Sequence, residues 1–180
     1  MAINLRSQIQ NKNYLTPAGF QFVVEKNRKI DFFATSANLP EITLGVAEQP
    51  SYLKSVPVPG EILQFEDLIF EFLIDENLEN YKAIHNWMTG LGFPESAQEF
   101  RDLLSENVLA GYKNQYSDCT LIVLNSNYNP QFQVKFKDAF PYSLSGLSFD
   151  SQLSSEQFFT ARVAFKYTIY ELLDMQGQPL

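Results

Sequence analysis

Asp75 and Glu76 are adjacent carboxylates inside the stretch "FEDLIFEFLIDENLENYKAIHNW", residues 65–87. Paired carboxylates are standard equipment for general acid–base chemistry. Consecutive side chains do not face one another, however, and the pair falls where strand-like alternation gives way to helical spacing. A helix start recruits the same residue types. Asp75 or Asn77 can cap free amides, and Glu76 and Glu79 suit the positive end of the helix dipole. Capping therefore accounts for these residues without catalysis. His85 is the single histidine and Cys119 the single cysteine, too few for a structural zinc site. Cys119 opens an apolar strand and reads as a small buried thiol rather than a nucleophile. "GLG" at residues 90–92 follows a helix, the reverse of the order that cradles a phosphate. "SLSGLS" around Gly146 lacks the spacing of a nucleophile elbow. The expectation is no enzyme, no metal and no cofactor.

The elements that would position such residues are legible. Residues 65–74 alternate, with Leu68, Phe70, Phe72 and Ile74 on one face and Asp67, Ile69, Glu71 and Leu73 on the other. Residues 77–89 then place Leu78, Tyr81, Ile84, Trp87 and Met88 in one stripe, which predicts an amphipathic helix that ends at Gly90. Ser96 and Glu99 match a capping box for a second helix over 96–107, with Phe100, Leu103 and Leu104 as its apolar face. This helix belongs to an apparent insert at 93–118. "GFQFVVEKNRKIDFFA" predicts a hairpin turning at "KNRK", with Asn27 in the turn and Ile30 and Phe32 on the return strand. "DCTLIVLNSNYNPQFQVKFKDAF" predicts a second hairpin, with Phe132, Val134 and Phe136 inward and Lys135 and Lys137 outward. A short strand is expected at 147–149 and one final strand over "FFTARVAFKYTIYEL", with Val163, Phe165, Tyr167 and Ile169 on one face.

Two segments do not fit a compact body. Residues 1–16 are mostly polar and read as an arm ordered against a neighbour. Residues 35–64 contain Pro40, Pro50, Pro57, Pro59 and Gly60, which argue against a helix or a central strand. The same segment carries Leu39, Ile42, Leu44, Val46, Tyr52, Leu53, Val56 and Val58. Apolar side chains on a long loop are best explained by another subunit that covers them. The sum is a mainly β single domain over 1–180, an antiparallel barrel or sandwich of about six to eight strands with a flanking helix.

Totals bound the function. The chain has 180 residues, enough for one sizeable core, and 16 Phe with 9 Tyr favour a sheet-rich, filled interior. The net charge of −8 argues against neutralising nucleic-acid phosphates. It does not exclude a role near DNA, since a passage through which DNA slides works better without attraction. One cysteine permits no internal disulfide, so cytosolic assembly is expected. No run is apolar enough to span a bilayer, and no membrane anchoring is expected.

The order of motifs resembles the tail tube proteins of contractile-tailed (myovirus-type) bacteriophages. "GFQFVV" opens the first strand, and "FFATSANLPEI" supplies Ala37, Leu39 and Pro40. "VPGEILQFEDLIFEFLIDENLENYKAIHNW" supplies Gly60, Phe65, Asp67, Asp75, Glu76 and Trp87. "FKDAFPYSLSGLSFDSQ" with "FFTARVAFKYTIYEL" resembles the closing strands, including Phe140–Pro141. The likeness runs over about residues 18–172. The opening "TPAGF" and the insert depart from it, and "NYKAIHNW" is also similar to the tube-like domain of baseplate tube-initiator proteins. The resemblance implies homohexameric rings that stack through the arm and long loop. It also implies sheath and baseplate partners, a lumen for phage DNA with Asp67 and Glu71 as acidic lining candidates, and assembly in the host cytoplasm into the virion tail. Alternatives are a baseplate initiator or adaptor ring, a secretion-system tube, and, in another class, a small-ligand-binding β-barrel.

Overall fold

The computed structural model describes residues 15, 17, 19–26, 34–105, 115–149 and 158–180, the side chains of 103–105 excepted. The expected arm apart from Leu15, the turn residues 27–29 with Ile30 and Phe32, and the Leu103–Leu104 face lie outside the described residues.

Among the described residues, nine strands and two helices follow in chain order. They are β1 (Phe20–Val24), β2 (Ala34–Ala37), β3 (Ile42–Gln49), β4 (Val56–Phe65), β5 (Leu68–Leu73), α1 (Glu79–Gly92), α2 (Ala97–Ser105), β6 (Ser117–Leu124), β7 (Pro130–Leu144), β8 (Thr160–Lys166) and β9 (Ile169–Leu173). Seven strands form one antiparallel sheet in the order β1-β6-β7-β8-β5-β2, with β9 also paired to β7. The remaining two, β3 and β4, pair, among the described residues, only with each other.

Alternation decides which face is buried. Leu68, Phe70 and Phe72 of β5 are fully buried, as are Val163 and Phe165 of β8 and Phe136 of β7. Phe22 of β1 stacks on Phe70 at 4.3 Å between ring centroids. These two strands stand at opposite ends of a five-strand run in the sheet order, so the sheet folds over on itself around an aromatic core.

The β6–β7 hairpin forms as its sequence predicts. Asn125 shapes its turn, since its side-chain oxygen accepts the amides of Asn127 and Asn129 at 2.9 and 3.0 Å. Outward Lys135 pairs with Asp118 at 3.0 Å, and Lys137 with Glu171 at 2.5 Å.

Several expectations are corrected. β1 pairs with β6 and β2 with β5, while the expected return strand at Ile30 and Phe32, and with it the first hairpin, lies outside the described residues. Residues 145–149 carry no strand, because β7 itself extends to Leu144 and takes the place beside β8. The final strand breaks at residues 167–168, where the chain leaves β8 and resumes along β7 as β9. The break shifts the alternation, so Tyr170 packs against the core and Ile169 is exposed.

α1 covers one side of the core through Ile84 and Trp87, both buried. The Trp87 ring lies 6.1 Å from Phe165, and its indole N–H donates to the Gln115 carbonyl at 3.0 Å. Tyr81 is half-buried and donates its hydroxyl to the Ser145 carbonyl at 3.1 Å. Leu78 is corrected as a helix-core residue. It precedes the helix in the left-handed region (φ 56°) and is 39% exposed. Asn80 takes the inward position instead. The helix also runs on to Gly92, two residues beyond the expected stop at Gly90.

Truncating Trp87 removes a ring held on one side by Phe165 and on its edge by a hydrogen bond. Trp87→Ala is expected to cost about 3–5 kcal/mol of subunit stability. Chemical denaturation followed by circular dichroism measures it, and a loss below about 1 kcal/mol would contradict this packing role.

Candidate assembly interface

The carboxylates that open the chemical question are structural. Asp75 Oδ1 accepts the Asn80 amide at 3.3 Å, and the Asn80 side-chain oxygen accepts the amides of Asp75 and Tyr81 at 3.4 and 2.8 Å. Asn80 Nδ2 donates to the Leu73 carbonyl at 2.8 Å. This lock turns the chain from strand to helix and satisfies first-turn amides that no side chain at the cap position serves. Asp75 thus tends the helix start from a distance, Asn77 does not, and buried Asn80 is the residue that sequence reasoning missed. An Asn five residues after an Asp at a strand–helix boundary is the signal that was available. His85 is exposed on α1 and Cys119 is buried in β6. Among the described residues no cluster of His, Cys, Asp and Glu is placed to hold a metal.

The unusual surface is the 35–64 segment. It is not a loop: β3 and β4 form a long antiparallel hairpin, a correction to the expectation drawn from its prolines. Pro57 and Pro59 are tolerated in β4 because, among the described residues, neither strand has a neighbour on its outer side. The ladder is interrupted between Leu44 and Val46, where Gly45 sits against Gly60. A Cβ on Gly60 would lie 2.6 Å from the Gly45 carbonyl oxygen, a backbone contact with no room to yield.

The hairpin leaves the body at a braced root. The Asn38 side chain stands in for a peptide group beside β5, accepting the Ile69 amide at 2.6 Å and donating to the Asp67 carbonyl at 3.1 Å. Phe65 packs edge-on against Tyr167 and Tyr170 at 6.1 and 5.7 Å. Tyr167 donates its hydroxyl to the Glu66 carbonyl at 2.9 Å, and burial pushes its pKa up to about 12. Beyond the root the side chains are open to water. Leu39, Ile42, Leu44, Val46 and Val56 are exposed, Val58 is half-buried, and at the tip Tyr52 and Leu53 are 101% and 90% exposed.

Asp67 and Glu71 occupy different settings. Asp67 lies in the two-residue link between β4 and β5 rather than within the strand, and it contacts Lys166 and the Tyr142 hydroxyl. The Lys166 ammonium, then the Tyr142 hydroxyl, hold its carboxyl below the usual carboxylate range. Glu71 is directly across from Arg162 in the β5–β8 register. Each carboxylate therefore has a cation next to it.

A second apolar surface lies at the other end of β5. Ile74, Leu78, Leu147, Phe149, Phe158 and Phe159 line an open groove of about 440 Å³ beside Asp75 and Glu76. The hairpin root meets the start of β5 and the groove meets its end.

A sequence profile of the family described as phage tail tube protein matches residues 2–173. No curated protein gives a significant sequence match. Among solved structures, the fold is similar to a chain of the six-fold-symmetrised baseplate of the anti-feeding prophage. There the TM-score is 0.59 at 13% identity, covering 87% of this chain and 92% of that one. The cap that terminates the anti-feeding prophage tube gives a TM-score of 0.57 at 16% identity over 97% and 99% of the two chains. The sheath–tube complex of an extracellular contractile injection system gives 0.57 at 14% identity over 91% and 94%.

Two predictions test this surface. Gly60→Ala is expected to open the hairpin while the body stays folded. Limited proteolysis then cuts first within residues 42–65, and the thermal transition of the body is unchanged; resistance equal to the parent would contradict the backbone pinch. For Asp67, a depressed folded-state pKa supplies stability above the ordinary value of 3.8 and loses it as pH falls through the folded value. Asp67→Asn is expected to melt lower than the parent at neutral pH, with the gap closing below pH 3.8. A gap independent of pH would remove the ionic contribution.

Proposed function

The chain belongs to the phage tail tube protein family, and from that premise we propose that it forms the inner tube of a contractile tail. Six copies close into a ring, rings stack, and the channel conducts phage DNA at ejection. The observation that carries this reading is the β3–β4 hairpin: apolar, long, rigidly rooted and uncovered in the subunit. Leaving Tyr52, Leu53 and Val46 in water is unfavourable, and their burial between copies would recover that free energy. Leu39, Ile42, Leu44, Val56 and Val58 belong to the same inter-subunit surface.

The polarity of the subunit supports stacking rather than a closed pair. Hairpin and groove lie at opposite ends of β5, so copies related head to tail bring unlike surfaces together. Such heterologous contacts close into rings or continue without limit, whereas like-to-like contacts stop at a dimer.

The net charge of −8 suits a conduit for DNA that binds it nowhere. Asp67 and Glu71 face the channel in this reading. Their pairing with Lys166 and their register with Arg162 make that wall locally balanced rather than uniformly acidic. A sheath around the tube and a baseplate below it are the expected partners, and the assembled site is the virion tail after assembly in the host cytoplasm.

The likeness to a baseplate chain favours a second reading, an initiator or adaptor ring on which the tube grows. A ligand-binding barrel has less support. The interior is filled by Phe22, Phe70, Phe72, Phe136 and Phe165, and the groove by Phe149 is open to the surface. The family and the structural neighbours are structural tube proteins rather than enzymes.

Negative-stain electron microscopy across a concentration series tests the proposal. Six-fold rings that stack into hollow tubes are expected. Rings that never stack would transfer the chain to the initiator reading, and dispersed monomers at every concentration would overturn self-assembly.

A further inference from the structure

The two outer edges of the β3–β4 hairpin are chemically unlike. In an antiparallel ladder, pairs that exchange hydrogen bonds alternate with pairs that turn their N–H and C=O outward. The Glu66 amide donates to the Glu41 carbonyl at 3.0 Å, which fixes the phase at the root. Ile42 and Leu44, opposite Phe65 and Leu63, therefore point their peptide groups outward. Past the interruption, Val46 faces Pro59 and Glu48 faces Pro57. Proline has no N–H, so neither pair is a hydrogen-bonded one. Ala47 with Val58 and Gln49 with Val56 carry the ladder, and Val46 and Glu48 also point outward.

Along β3, every second residue from Ile42 to Glu48 thus presents a free N–H and C=O in unbroken phase. Along β4, the outer edge lacks donors at Pro57 and Pro59 and is displaced where the three residues Gly60, Glu61 and Ile62 stand opposite the single residue Gly45, two more than the ladder needs. Prolines and bulges are the devices that stop a strand from recruiting another. They protect one edge here and leave the other open. A two-stranded hairpin in water is also marginal by itself and is stabilised by a third strand. Among the described residues, nothing pairs with β3 except β4.

We infer that β3 is a docking edge for an extended segment of a second copy of this chain, added to the hairpin on that side only. The inference rests on the self-assembly reading and specifies its contact. A second copy is the occupant because the hairpin's exposed apolar faces need covering at every subunit of a homopolymer. The one-sided edge also matches the head-to-tail polarity of hairpin and groove. With β4 blocked, each hairpin accepts one strand, which keeps tubes from associating sideways through these edges.

Residue-resolved hydrogen exchange on the full chain, dispersed and assembled, tests this. The amides of Leu44, Val46 and Glu48 are expected to slow by at least about tenfold on assembly. Those of Ala47 and Gln49 are already held by β4 in the subunit. Val46→Pro, which removes an N–H with no partner in the subunit, is expected to leave its melting unchanged. It should raise the concentration needed for assembly by at least about tenfold. Pro57→Val with Pro59→Val is expected to yield laterally bundled material. Rings or tubes in which Leu44, Val46 and Glu48 exchange as fast as in the subunit would overturn the docking edge and leave the tube reading intact. Failure to assemble at any concentration would overturn both.

Discussion

The amide side chain of Asn38 decides where the exposed hairpin points. It bridges the Ile69 amide and the Asp67 carbonyl, and so continues the β2–β5 ladder across the place where the backbone diverts into β3. Without a group of that shape and polarity, two part-buried peptide groups, the Asp67 carbonyl and the Ile69 amide, would lose partners, at a penalty for unsatisfied polar atoms. The phenols of Tyr167, in the break after β8, and Tyr170 of β9 then clamp the root: one reaches the Glu66 carbonyl, and both pack on Phe65. Asp67 adds Lys166 and Tyr142. An exposed apolar surface can meet a partner reproducibly only if it is held at a fixed angle, and these contacts fix it.

Edges organise the remainder of the fold. β9 is covered by the chain that follows it: Asp174 gathers the amides of Gln176 and Gln178 at 2.9 and 2.7 Å. The Leu180 amide then returns to the Leu172 carbonyl at 3.2 Å. β4 is blunted by its prolines and its bulge. A chain that covers one edge and blunts another while leaving β3 continuous has distributed protection unevenly, and unevenness of that kind gives an assembly a direction.

Much of this was legible in the residues, for reasons that differ by element. β5 and the β6–β7 hairpin follow from strict alternation, because one face is buried and a slip of one residue would expose every Phe. Ile84 and Trp87 follow from helical spacing. The pairing of β1 with β6 was not legible, since alternation says which face is buried and nothing about which strand lies alongside. The β3–β4 hairpin was misread for a sharper reason. Proline excludes a strand only when both its edges are paired, and whether an edge is paired is a tertiary fact. Asn80 was overlooked because a polar residue in an amphipathic stripe counts as a defect until its partners are known.

Charge gives the same lesson on a different scale. The net charge of −8 is a property of the whole chain, and it predicts weak affinity for nucleic acid. It does not predict the field at a particular wall. Asp67 with Lys166, and Lys137 with Glu171, are neutral pairs, and Lys135 is shared between Asp118 and Glu25. Pairing of this kind cancels the near field within a Debye length and leaves only the diffuse excess of carboxylates. For a conduit, that division is favourable: a strongly acidic wall would repel a polyanion at entry, a basic one would hold it, and a compensated surface lets it pass with little variation in energy along the way.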